Sequence, residues 1–174
     1  RSMSALFERH RPTLEAALKA ARERGYWSAY PEIPSGKIYG ETARDDGLAA
    51  YQACLGKSFA LAGHPAEGVV GAEVSPYGPS LDIRYPAASV DTLVDASRTA
   101  ALQWAAASPQ ERVGICLEIL ARLNRQSFEM ANAVMHTTGQ GFAMAFQAGG
   151  PHAQDRGLEA VAYAFAEMDR TPAE

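Results

Sequence analysis

From Ser89 onward the sequence reads as a succession of helices with marked starts and stops, and this punctuation constrains the fold more than any other feature. The sharpest mark is Ser108-Pro109-Gln110-Glu111. The serine can accept from a free amide of the first turn, and the glutamate three residues on can reach back to the serine amide. Proline, with φ already fixed, takes the first helical position. Behind this signal, Val113, Cys116, Leu117, Leu120 and Leu123 recur at helical spacing and predict a buried face. Before it, Ser89 is placed as the N-cap of a helix with Leu93, Ser97, Ala100, Ala101 and Trp104 on one side. After it, Ser127 can cap a helix through Ala131, Val134 and Met135 that Gly139 closes. A further helix begins near Gly141 and is interrupted at Gly149-Gly150-Pro151. It resumes from Pro151 with Leu158, Val161, Ala162 and Phe165 facing inward.

The first half is more varied. Ala5 to Arg24 has a helical pattern, with Leu14, Ala17, Leu18 and Ala21 on one face. Pro12 is expected to kink or break it, and Gly25 to end it as the C′ residue. A loop follows over Tyr26–Gly40, with Tyr26, Trp27 and Tyr30 expected to anchor it to the core. A short helix is expected from about Glu41 to Leu55, stopping at Gly56 and carrying Leu48, Tyr51 and Leu55 on one face. Val69–Val74 and Leu81–Tyr85 are rich in β-formers and flank the turn-forming stretch Ser75–Ser80. They predict a β-hairpin that packs on the helices, since a lone hairpin is marginal in water. The expected organisation is a helical extension over 1–56, a hairpin region over 57–88 and a helical segment over 89–174, in one compact unit overall. The fold class is mainly α.

Composition excludes more than it assigns. The chain of 174 residues is 47% hydrophobic and 21% charged, with a formal net charge of -4. No basic stripe points to nucleic acid, and no apolar run approaches the roughly 20 residues of a membrane span. Cys54 and Cys116 read as reduced, packed thiols, which implies a cytoplasmic setting.

Chemical motifs are scarce. Gly56-Lys57-Ser58 ends like a phosphate-binding loop, but Tyr51 stands where that loop needs its first glycine. His10, His64, His136 and His152 lack metal-ligand spacing to one another or to either cysteine. Glu41, Asp45 and Asp46 suit the positive end of a helix better than acid–base chemistry. Cys116, mid-helix beside Leu117 and Leu120, is expected to be a buried thiol with a raised pKa rather than a nucleophile. No catalytic, cofactor-binding or metal-ligating residue is assigned.

Longer patterns point to a family. Leu55-Gly56-Lys57-Ser58-Phe59, the turn Ser75-Pro76-Tyr77-Gly78, and the landmarks Trp104, Ser108, Arg112, Leu120 and Gly139 resemble the N-terminal helical part of the aldehyde dehydrogenases. Tyr77 departs from the threonine usual in that turn. Four stretches are similar to the phenylacetic acid degradation protein N subgroup: Arg24–Trp27, Tyr39–Thr42, Met135–Gln140 and Ala145–Arg156. The resemblance implies a helical N-terminal portion of an aldehyde-dehydrogenase-like α/β fold. It implies an NAD- or NADP-dependent parent that oxidises the ring-opened CoA-thioester aldehyde of phenylacetate breakdown. The family's nucleophilic cysteine, general-base glutamate and cofactor fold come later in sequence, so the chain is expected to be inactive alone and to hold no cofactor. By the same analogy the helix after Pro151 runs near the substrate tunnel, which makes His152, Asp155 and Glu159 candidates for its wall. The expected partners are the catalytic body of the parent and a second copy of the chain in a homodimer or homo-oligomer. The alternative is a self-contained helical module that binds a protein through an apolar groove.

Overall fold

The computed structural model describes residues 3–171; the outer bounds of the first and last expected segments, residues 1–2 and 172–174, lie outside the described residues. The element order is α1 (Met3–Glu23), α2 (Gly36–Tyr39), α3 (Ala43–Gln52), β1 (Gly68–Val70), β2 (Tyr85–Ala87), α4 (Val90–Ala106), α5 (Pro109–Arg125), α6 (Ser127–Thr138), α7 (Phe142–Gly149) and α8 (Pro151–Arg170). Two cores organise it. Helices α1, α5 and α8 enclose Leu14, Val113, Leu117, Leu158 and Ala162, with Tyr30 sealing one end. Helices α3, α6 and α7 meet around Phe128, Ala131, Ala145 and Phe146. There the rings of Phe128 and Phe146 lie 4.8 Å apart and Tyr39 stands edge-on to both.

The expected caps form. Ser108 Oγ accepts from the Glu111 amide, and the Glu111 carboxylate accepts from the Ser108 amide at 2.9 Å. Ser89 Oγ accepts from the Thr92 amide, Gly139 closes α6 in the left-handed region, and Pro151 opens α8. Val113 and Leu117 are buried as the helical spacing of α5 requires, and Leu158 and Ala162 as that of α8 requires.

Several details differ from the sequence expectation. Pro12 sits inside an unbroken α1. It lies on the exposed side, where water can take the Glu8 carbonyl it leaves unpaired, while Leu14 opposite is buried. The residue that turns the chain after α1 is Arg24, with φ of 54°, not Gly25. The Gly25 amide bonds back to Ala20 O, the six-to-one bond of a Schellman motif. Ser127 is the first residue of α6 rather than its cap, and its hydroxyl is buried against Leu123 O and Gln154 Nε2. Helix α3 is shorter than expected and turns Gly47 and Tyr51 inward, leaving Leu48 and Leu55 exposed. A side chain at Gly47 would run into Phe128, so the absent Cβ is what brings α3 onto α6. Of the loop aromatics only Tyr30 is buried; Tyr26 is 96% exposed and Trp27 is partly open.

The hairpin is present but displaced outward. Its ladder pairs Gly68 with Ala87, Val69 with Pro86 and Val70 with Tyr85, while Val74 makes only a lone bridge to Ser80. Leu81 and Ile83 turn down into the molecule, and β1 is exposed throughout.

Helix α4 is the largest departure. Its expected face of Leu93, Ser97, Ala100, Ala101 and Trp104 is not buried, and no residue of the helix is. Polar bonds hold both ends: Glu67 accepts from the Ser89 amide, and Arg112 donates to Ala105 O. Between them α4 has no substantial packing against another helix or strand among the described residues. The chain's accessible surface is 11365 Å². A folded monomer of this mass exposes about 8,200 Å² on average, so this chain is more open by about 3,000 Å².

Candidate functional site

One groove gathers the three residues proposed from the sequence. It runs between the C-terminal half of α1 and the first half of α8, with the loop 24–32 along one side, and has a volume of about 570 Å³. Residues 152, 155 and 159 follow the helical repeat, so His152, Asp155 and Glu159 lie along one side of α8 and all line the groove. Ala17, Ala20, Ala21, Leu158 and Ala162 make its apolar floor.

Each of the three already has a partner. Asp155 accepts from the Ser28 hydroxyl and, at 3.2 Å, from the Ala29 amide, and so ties the loop to α8. Its charge also acts on Tyr30 beneath: burial first, and Asp155 second, push that hydroxyl up to about 12. His152 Nδ1 lies 3.0 Å from Glu32 Oε1, and Glu159 pairs with Arg156 at 2.9 Å. The carboxylate nearest Ser28 therefore has no imidazole beside it, and the imidazole in the groove faces a different carboxylate. This arrangement fixes the loop. It does not assemble a nucleophile with a base and an orienting group.

Elsewhere the chemistry is structural. Burial pushes the Cys116 thiol up, as its place among α5 leucines predicts. Cys54 donates to Ala50 O, and both cysteines are free. Among the described residues no group of three or more His, Cys, Asp or Glu side chains is arranged to hold a metal, and no helix is long and apolar enough to cross a membrane. The Gly56 and Lys57 amides are bonded to Leu81 O and Cys54 O, so they cradle no phosphate.

Sequence reasoning missed two polar clusters. At the hairpin turn, Ser75 Oγ lies 2.9 Å from His136 Nδ1, and the imidazole stacks on Tyr51 with ring centres 5.1 Å apart. Tyr77, the residue that departs from the family's turn, donates to the Gly139 and Gln140 carbonyls at the end of α6. The second cluster centres on Glu118, which is buried on α5. Each depends on a pair 60 or more positions apart, Ser75 with His136 and His10 with Glu118, and spacing within a segment cannot reveal such pairs.

No family model and no curated protein matches the chain. A solved structure does: the crystal structure of an NAD-dependent aldehyde dehydrogenase from Burkholderia multivorans, with 57% sequence identity and a TM-score of 0.91 over 97% of this chain. The chain spans 30% of the length of that structure. The mainly helical architecture with its small antiparallel hairpin thus matches one portion of that enzyme's structure. At Gly149-Gly150, the tightest pair, an added Cβ would meet Val134 Cγ2 at 2.9 Å and Phe146 O at 2.4 Å, so their smallness serves the packing of α6 and α7.

Proposed function

We propose that this chain is the helical N-terminal portion of an NAD-dependent aldehyde dehydrogenase, and that it supplies scaffold rather than reacting groups. The observation that carries this reading is 57% identity at a TM-score of 0.91 to such an enzyme, over nearly the whole chain and under a third of the enzyme. In this reading the open faces of α4 and β1 are where the rest of the polypeptide packs. The surplus of about 3,000 Å² is the size of a large obligate interface rather than a transient contact, and it counts against a self-contained interaction module.

The finer assignment rests on the stretches Met135–Gln140 and Ala145–Arg156, which match the phenylacetic acid degradation protein N pattern. It makes the parent's substrate the ring-opened CoA-thioester aldehyde of phenylacetate breakdown and its compartment the cytoplasm. His152 and Glu159, at the lip of the α1–α8 groove, belong to the same proposal as part of the tunnel wall, with Asp155 as the anchor that holds the neighbouring loop. Made alone, the chain covers its open faces by pairing with a second copy.

The test is NADH production with a panel of aldehydes that includes the CoA thioester. The chain alone is expected to be silent, and co-expression with the remaining segments of an aldehyde dehydrogenase is expected to restore turnover. Turnover by the chain alone that is lost on mutating Cys54 or Cys116 sinks the reading. Light scattering across a dilution series tests the pairing: a clean monomer at high concentration excludes the second copy.

A further inference from the structure

Glu118 of α5 is a buried carboxylate with four basic neighbours. His10 Nε2 lies 2.7 Å and Arg9 Nη1 3.4 Å from its Oε2; Arg122 Nε lies 2.9 Å and Arg125 Nη2 3.9 Å from its Oε1. Hydrogen bonds from Arg122 and His10, with the nearby guanidinium charges adding to them, outweigh burial and hold the carboxyl down at about 2. Glu118 is therefore ionised at any ordinary pH. Three guanidiniums against one carboxylate leave two positive charges in surplus, in a chain whose net charge is -4. Arg122 and Arg125 stand in the last turn of α5, where they suit the negative end of the helix. That end supplies only about half a charge, so more than one positive charge remains uncompensated. Among the described residues no second carboxylate pairs with Arg9, Arg122 or Arg125.

The geometry is also compact. All three guanidiniums reach one carboxyl group from two helices, so their nearest nitrogens lie within about 10 Å of one another, while their outer N–H groups face solvent: the Arg122 and Arg125 side chains are 68% and 64% exposed. The buried carboxylate acts as a hub that holds the forks together and offsets much of the repulsion between them. A cluster of this kind suits a small, doubly charged oxyanion better than an extended acidic surface. A phosphate group supplies about two negative charges and several acceptors that guanidinium forks contact in pairs.

From this juxtaposition we infer that Arg9, Arg122 and Arg125 form a binding site for a phosphate group. The site is separate from the α1–α8 groove and does not depend on the proposed enzymatic role. Its test is isothermal titration of the chain with inorganic phosphate, with ionic strength held constant by chloride. Parallel arms use O-phosphoserine and a nucleoside monophosphate. Saturable one-to-one binding is expected, weakened about tenfold or more by Arg122→Ala or by Arg125→Ala. The tightest arm identifies whether the group arrives as free phosphate, on a protein side chain or on a small metabolite. Arg125 is the cleaner variant, because its side chain is mostly exposed and its removal leaves the carboxylate its two closest partners. No saturable heat in any arm, or binding that persists unchanged in folded Arg125→Ala, overturns the site.

Discussion

Helices α4 and α5 are each 17 residues long, start with a serine cap and carry an apolar stripe, yet they meet opposite fates. On α5 the stripe is buried between α1 and α8. On α4 the same kind of pattern is left open, with Leu93 at 40% and Trp104 at 44% exposure. Caps and periodicity set where a helix runs and which side is apolar. They do not say whether the partner for that side lies in the same stretch of chain. The difference teaches that α5 belongs to a core completed here, while the stripe of α4 is left open, to be covered by the rest of the polypeptide in the reading proposed above.

The comparison is broken most directly by truncating a leucine in each helix. Leu117→Ala, at a fully buried site, is expected to cost about 2–5 kcal/mol, whereas Leu93→Ala, on the open stripe of α4, should cost well under half as much. Denaturant melts of both decide it; equal losses would mean that α4 is packed in solution. Next in size is Gly114→Ala, because an added Cβ would lie 2.6 Å from the Phe7 amide nitrogen and 3.0 Å from its Cα. Two helix backbones cannot yield as a flexible side chain does, and a cost of about 1–3 kcal/mol is expected. A neutral outcome in the melt would show that α1 does not seat on α5 at that point.

Removing the caps sharpens the contrast. Ser108→Ala should lower global stability by about 1 kcal/mol. Ser89→Ala should leave the global midpoint nearly unchanged and instead speed amide exchange at Thr92, since α4 can fray without disturbing a core. Acid gives the last effect, which shows only well below neutral pH. Glu118 is held at about 2 by Arg122 and His10, against 4.5 for a free carboxyl. A carboxyl lowered on folding adds stability above its free value, and that contribution disappears as pH falls from about 4.5 through about 2. Stability of the α1–α5 contact should therefore drop across that window, and Glu118→Gln should remove that part of the slope. Glu67, which caps α4, is also held below its ordinary value by Thr92 and Ser89. Its protonation should show only as local exchange at the start of α4.

The legible parts of this fold were those with local causes. The box at Ser108, the left-handed close at Gly139 and the break before Pro151 each depend on residues within a few positions, and each stands as read. The misread parts depend on distant partners. Pro12 survives in α1 because Leu14, nearby in the same helix, is pinned by α5 and α8. Ser127 is not a cap because Gln154 takes its hydroxyl across 27 residues. His152, Asp155 and Glu159 were named from the family resemblance alone, and no local pattern could show that the partners of His152 and Asp155, namely Glu32, Ser28 and the Ala29 amide, come from a loop more than 100 residues earlier. Glu118 was invisible for the same reason: a glutamate inside a helical pattern reads as solvated until His10 and Arg9 are brought to it.

The packing of α1 also has a consequence in time. Its partners α5 and α8 begin at residues 109 and 151, so the earliest of these three helices belongs to a core whose last piece is made more than a hundred residues later. At about 5–20 residues per second, Leu14 and Phe7 wait on the order of ten seconds or more for the surfaces that bury them. During that interval α1 is an amphipathic segment with no shelter, and long-separated contacts of this kind also slow the folding step itself. The face of α1 around Leu14 is therefore a part of this fold that a holding chaperone on the ribosome would protect, although in the finished molecule Leu14 is almost fully buried.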